Sequence, residues 1–319
     1  MNAEAVIRWD LAKKAHRVGA EWLRARQHFK RFPPIFIIGA PRSGTTLLLR
    51  VLGNQPPLSP VFEPWMIWQS AFGPWPDDTF AGWLTPLRRI RMVHGYWTAI
   101  APDRPILLVK DPRDSLRVQK LHRLFPSARF IYILRDHRDA ISSMIRAIKH
   151  PTLYKTDEGW AHVRIPGYKS LVFDADHLKA AHIWSVCARH AVQDLRRIPQ
   201  RLWTTVRYEK LLEEPVPVVK RLLAFVGVQW PADTIELVTR PISDQVVSRT
   251  QNEAAILPSG NIAGFNSVEH LGDAGSGTLS RERRIGKWRE ELTSKELREV
   301  EAVIYEAGRL DDVDPALGV

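Results

Sequence analysis

The chain of 319 residues has a single cysteine, Cys187. One thiol excludes an intrachain disulfide and a metal site built from cysteines, so no metal is expected. A reducing cytosol suits such a chain best, and a cytoplasmic location is the expectation. No run of eighteen apolar residues occurs, so no transmembrane helix is expected. The first residues lack the apolar core of a secretory signal. No internal repeat is visible, and no signature of a nucleic-acid-binding module. Acid is the scarcer charge: 35 Asp and Glu stand against 46 Lys and Arg, for a formal net charge of +11. That excess favours a polyanionic partner, such as a phosphorylated cofactor, nucleic acid or an anionic membrane surface.

What is present suffices for a core. Hydrophobic residues make up 45% of the chain, enough for one large α/β domain or two small ones. Residues 1–31 read as a basic amphipathic helix. Trp9, Leu11, Val18, Trp22 and Phe29 supply its apolar face, and Arg8, Lys13, Lys14, Arg17, Arg24 and Arg26 some of its charge. Two uses are open to it: packing as an arm, or peripheral contact with a membrane. Pro33-Pro34 ends the helix, so the chain divides into an arm over 1–34 and one domain over 35–319.

Within that domain, apolar runs predict buried strands at 35–38, 106–109, 130–134 and 202–206. Helical periodicity covers 45–52, 115–125, 139–148, 178–195, 217–226 and 293–308. Residues 56–86, rich in Pro and Trp, read as irregular, 150–176 as a loop or lid, and 243–280 as mobile. Strands alternating with helices imply an α/β fold, a P-loop-type parallel sheet flanked by helices on both faces. Ligands of such sheets bind where the strands end.

One strand end carries a motif. Gly39-Ala-Pro-Arg-Ser-Gly-Thr-Thr46 follows the first strand and opens a helix. The two glycines have Walker A spacing, and backbone N–H groups of such a turn cradle phosphate. The Walker lysine is replaced by Thr45, which argues against triphosphate chemistry; Arg42 brings the charge instead.

The stretch Pro41-Arg-Ser-Gly-Thr-Thr46 resembles the phosphosulfate loop of sulfotransferases that use 3′-phosphoadenosine 5′-phosphosulfate (PAPS). That resemblance implies PAPS as co-substrate, with Pro41, Arg42, Ser43, Gly44, Thr45 and Thr46 around it. The family's 3′-phosphate motif, Arg at a strand end and Ser eight residues later, is matched by Arg135 and Ser143. Asp136-His137 stands where Asn-Pro is frequent. Arg207-Tyr-Glu-Lys-Leu-Leu212 resembles the family's RYEDLL element and brings in Tyr208. Ile285-Gly-Lys-Trp288 resembles its C-terminal G-x-W segment, which implies nucleotide contacts from Gly286, Lys287 and Trp288. Arg281 and Arg284, just upstream, are candidate 3′-phosphate contacts.

Sulfuryl transfer needs positioning, neutralisation of the leaving phosphate and a base for the acceptor proton. Arg42 and Lys110 are the candidate cations. Relatives acting on small phenols carry a His two residues after the strand-end Lys; here Pro112 stands there. The tyrosylprotein and carbohydrate branches use a carboxylate about twenty residues past the loop arginine, and Glu63 follows Arg42 by twenty-one. Phe62 and Trp65 are expected to desolvate it in part. Tryptophans 65, 68, 75, 83 and 97, with Tyr96, are candidates for an acceptor cleft, although at least half should be core; Trp184 reads as core. The resemblance leaves the hydroxyl-bearing acceptor open: carbohydrate, lipid, tyrosine or small natural product. Two other classes stay open on composition and loop alone, a P-loop phosphotransferase and a non-enzymatic basic binder.

Overall fold

The computed structural model describes residues 19–73, 77–149, 163–170, 173, 175–229 and 285–306. Five strands form one parallel sheet: β1 (Ile35–Ile38), β2 (Leu58–Phe62), β3 (Ile106–Lys110), β4 (Arg129–Leu134) and β5 (Trp203–Arg207), in the order β2-β3-β1-β4-β5. Four of them are the apolar runs read from sequence. The fifth, β2, corrects the reading of 56–86 as irregular. Its sequence Leu-Ser-Pro-Val-Phe pairs only with β3, as an edge strand does, and an edge tolerates the proline at 60.

Helices cover both faces, and the strand pleat decides which side chain goes where. Phe36, Ile38, Leu107, Val109, Phe130 and Tyr132 enter one core with residues of α4 (Pro86–Thr98), α5 (Val118–Leu124), α6 (His137–Lys149) and α7 (Asp176–Leu195). Ile35, Ile37, Leu108, Ile131 and Ile133 enter the other, with α2 (Thr45–Gly53), α8 (Tyr208–Glu213) and α9 (Pro215–Val226). Alternate residues of one strand serve opposite cores, so an uninterrupted apolar run is what this sheet requires. Phe36 anchors the first core. Its ring stacks on Phe130 at 5.6 Å and meets Tyr96 edge-on at 5.9 Å.

Local signals explain some helix ends. Thr85 caps α4 through its side chain, accepting from Arg88 N–H at 3.3 Å, with Pro86 in the first turn. α9 also starts on proline and stops at Gly227, where φ is 72° and Val228 N–H donates to Leu223 at 2.9 Å. The helix expected over 115–125 divides into a 3-10 turn (Pro112–Leu116) and α5, because Asp111 caps the turn by accepting from Arg113 N–H. α3 (Trp65–Phe72) and α4 were not foreseen; both lie wholly or partly in the Pro- and Trp-rich stretch. The final elements are α10 (Trp288–Glu291) and α11 (Ser294–Glu306), the latter close to the expected span. The expected mobile stretch 243–280, and most of the expected lid, lie outside the described residues.

Residues 19–31 form α1, the described part of the N-terminal arm. Ala25 and Phe29 are buried in the same core as Phe36. Phe29 meets the Phe125 ring at 4.9 Å, and His28 bonds the Pro105 carbonyl at 2.8 Å. The helix therefore packs as an integral element. Phe29→Ala should cost about 3 kcal/mol or more in denaturant unfolding, the range for a buried phenylalanine. A loss below about 1 kcal/mol would mean that α1 is only loosely attached.

Candidate active site at the carboxyl edge of the sheet

Parallel register brings the motif residues together. Phe62 lies beside Lys110, and Ile37 beside Lys110 on its other flank. Leu134 lies beside Arg207. The next residues out, Glu63, Gly39, Arg135 and Tyr208, thus cluster along one edge.

The loop after β1 is shaped by two left-handed residues, Arg42 at φ 66° and Gly44 at φ 95°. Gly44 has no room for a side chain. A Cβ there would stand 2.3 Å from the Tyr208 ring. Ser43 N–H returns to the Ala40 carbonyl at 3.1 Å, and Gly39 N–H donates to Ser115 Oγ at 3.0 Å. Pro41, Ser43 and Thr45 are buried, Thr46 is half-buried and Arg42 is exposed. Gly44 offers no side-chain cap to α2. The first N–H groups of that helix have no acceptor within it, so they suit an anion.

The two cofactor motifs touch. Arg42 Nε donates to Ser143 Oγ at 3.1 Å, and Arg135 Nη1 donates to the Arg42 carbonyl at 2.9 Å. The Arg135 guanidinium lies over the Tyr208 ring, 4.4 Å from its centroid. Burial pushes Arg135 below its ordinary value, against the pull of Tyr208, Asp139 and Glu209. The neighbouring acids have employment of their own. Asp136 binds Arg138 through two nitrogens, at 3.0 and 2.7 Å. Asp139, buried at the start of α6, accepts Gly286 N–H at 2.7 Å and Trp288 N–H at 3.2 Å. That carboxylate fastens the G-x-W segment to the helix that carries Ser143. Two guanidiniums lie close to the Trp288 ring, Arg138 at 4.3 Å and Arg289 at 4.6 Å from its centroid. Gly286 has φ 79°, a left-handed conformation that favours glycine. Lys287 is half-buried beside it. Arg281 and Arg284 lie outside the described residues.

The second cluster is built on charge. Glu63 N–H donates to the Lys110 carbonyl at 2.7 Å, and Lys110 Nζ donates to Glu63 Oε1. Arg113 Nη2 holds Oε2 at 3.1 Å. Lys110 therefore pairs with Glu63 and not with the adjacent Asp111. The ring of Phe62 lies 4.3 Å from Lys110 Nζ, so the cation, too, is shielded from water. Asp111 binds Arg113 at 2.8 Å and Arg117 at 3.1 Å, and Arg117 Nε binds Asp114 at 2.7 Å. Arg117 is fully buried, 4.0 Å from the Trp68 ring. Against the burial that disfavours its charge, Asp111, Glu63 and Asp78 hold Arg113 above its ordinary value. Burial likewise pushes Asp114 up to about 7, although Arg117 pulls it down.

This ion chain was not read from sequence. Its signal was there, in acids and bases at 111, 113, 114 and 117 directly after a buried strand. The expected aromatic cleft is revised in part. Trp68 and Tyr96 are core residues joined by a hydrogen bond of 3.0 Å. Trp83 is exposed, Trp65 and Trp97 are half-buried, and Trp75 lies outside the described residues. Trp184 is core, as expected.

A family model described as "Sulfotransferase family" matches residues 33–232. The chain belongs to that family and is a sulfotransferase, which sets aside the phosphotransferase and non-enzymatic alternatives. Protein-tyrosine sulfotransferase A of Caenorhabditis elegans is 25% identical over 282 residues, 77% of this chain and 68% of the relative. In fold, the chain resembles the sulfotransferase domain of the curacin biosynthetic pathway. The TM-score is 0.51 at 17% identity, covering 86% of this chain and 98% of that domain. Mouse sulfotransferase SULT7A1 complexed with PAP also gives 0.51, at 16% identity, covering 89% and 87%.

The ion chain generates a pH prediction. Asp114 is raised in the folded state, so its favourable contribution is complete below the unfolded pKa near 4 and is lost as pH rises toward 7. Asp114→Asn removes that titration. Its stability relative to wild type should improve between about pH 5 and pH 8 in denaturant unfolding. A constant difference across that range would show that Asp114 stays ionised.

Proposed function

We propose that the chain transfers a sulfuryl group from PAPS to a hydroxyl of its acceptor, with Glu63 as general base. The observation that carries this is the contact of Glu63 with Lys110 at the end of adjacent strands, one loop away from the Gly39–Thr46 cradle. When bound, PAPS supplies the sulfuryl group attached to a phosphate leaving group. The residues present fit it: an uncapped helix N-terminus, the Arg42 side chain, and the Arg135–Ser143 pair within one hydrogen-bonded unit.

The proposed division of labour follows from these positions. Backbone N–H groups of 43–46 and Arg42 hold the 5′-phosphosulfate. Arg135 and Ser143 hold the 3′-phosphate. Tyr208 and the Gly286-Lys287-Trp288 segment bound the nucleotide. Lys110 holds one Glu63 oxygen and Arg113 the other. Lys110 turning toward a leaving phosphate would leave Oε1 open to accept the acceptor's proton, with Arg113 keeping the carboxylate in place. In-line transfer then needs no metal. The acceptor is a carbohydrate, lipid, tyrosine or small natural-product hydroxyl; the tyrosine sulfotransferase relative makes a tyrosine peptide the first to test.

Two variants separate the roles. Glu63→Gln should lower kcat by about a hundredfold or more while leaving PAP affinity within about threefold, since a base acts on the acceptor and not on the nucleotide. Arg42→Ala should weaken PAP binding by about tenfold or more in calorimetry, as loss of a charge-assisted phosphate contact does. Full activity of Glu63→Gln with labelled PAPS would remove Glu63 from the mechanism. Absence of PAP binding by the folded wild-type chain would remove the cofactor assignment.

A further inference from the structure

The opposite edge of the sheet, where the strands begin, is built differently. There α1, α4 and the turn at 123–127 between α5 and β4 enclose an open groove of about 410 Å³. Its floor is apolar, with Trp22, Phe29 and Phe125. Arg26, Lys30, Arg89 and Arg123 form its rim, and no acidic residue lines it. Arg89 is spent on structure, donating to the carbonyls of Leu84 and Arg123 at 3.2 Å each. Arg26, which lies 5.3 Å from the Trp22 ring, has no carboxylate partner among the described residues, and neither have Lys30 and Arg123.

The imbalance extends beyond the groove. Residues 19–31 carry Arg24, Arg26, Lys30 and Arg31 against one acid, Glu21, which is taken by His94 at 3.1 Å. α4 carries Arg88, Arg89 and Arg91 and no acid at all. The same two helices expose large apolar side chains among these cations, Leu23 at 52% and Leu87 at 56%. Burial would be expected to remove such leucines from water, and nothing in the chain's described part does so.

We propose that this edge docks on a bilayer surface rich in acidic phospholipid, with a headgroup phosphate among Arg26, Lys30 and Arg123 and with Trp22 and Leu23 in the interface. Clustered cations supply long-range attraction to an anionic leaflet, and apolar side chains set among them supply the short-range hold. A nucleic acid would satisfy the cations but would leave the apolar floor and the exposed leucines in water. A bilayer satisfies both. Because the sheet is parallel, its two edges point in opposite directions, and docking here leaves the carboxyl edge facing away from the lipid.

The test is co-sedimentation of the full chain with vesicles of phosphatidylcholine, alone or with roughly one-third phosphatidylglycerol. The anionic vesicles should bind at least about tenfold more tightly, with affinity falling as salt shortens the screening length below about 10 Å. Joint reversal by Arg26→Glu, Lys30→Glu and Arg123→Glu should abolish that gain and leave PAP binding intact. Should the triple variant not fold, Arg26→Gln with Lys30→Gln, both at exposed helix positions, should still weaken vesicle binding by about threefold or more. Equal binding to both kinds of vesicle, or wild-type binding by either variant, overturns the proposal. Binding of duplex RNA without binding to anionic vesicles also overturns it, and assigns the cations to nucleic acid.

Discussion

Arg117 has no contact with water, and a guanidinium so placed persists only when carboxylates answer it. Asp111 does so, Asp114 accepts a further bond from the same guanidinium, and the consequences run outward. Asp111 is held by Arg117 and in turn holds Arg113; Arg113 holds one oxygen of Glu63; Lys110 holds the other. The end of the chain is a carboxylate with a fixed orientation at the edge of the sheet. Removing a link near the buried end would leave an uncompensated charge, so the network is stiff because it is costly to break. That stiffness is what a transferring site needs, since small displacements of catalytic groups have large effects on rate.

The rest of the site depends on register. Parallel pairing aligns strand ends, so residues that follow strands become neighbours although they are distant in sequence. Arg135 and Tyr208 meet because Leu134 and Arg207 do. Glu63 meets Lys110 because Phe62 lies beside it. Tyr208 in turn closes over Gly44, where no side chain fits. Sheet, loop and cation–π contact are thus one construction, and the anion cradle at α2 inherits its rigidity from strands on either side.

Much of this was legible in the sequence. Four strands announced themselves as apolar runs because both faces of the sheet are covered. The loop and the Arg135–Ser143 spacing stood out because they need particular residues at fixed offsets. β2 was hidden because Ser59 and Pro60 break its apolar run, and Pro60 mimics a loop. α3 and α4 were hidden by the prolines and tryptophans around them; Thr85-Pro86, a cap followed by a first-turn proline, was the signal available. Asp139 was legible only as a neighbour of Arg135. Nothing local says that it fastens Gly286 and Trp288, since that bond spans 147 residues.

That span has a consequence for how the protein comes into being. A ribosome releases the sheet in full once β5 has emerged, whereas α8 and α9 of the second core and Val300 and Ile304 of the first follow later. The clasp on Asp139 waits for Gly286 and Trp288, some eighty residues of synthesis later. A nascent chain therefore acquires its sheet well before its nucleotide enclosure, and a protein cut short between the two would lack both the closure and the Val300 and Ile304 side chains of its first core.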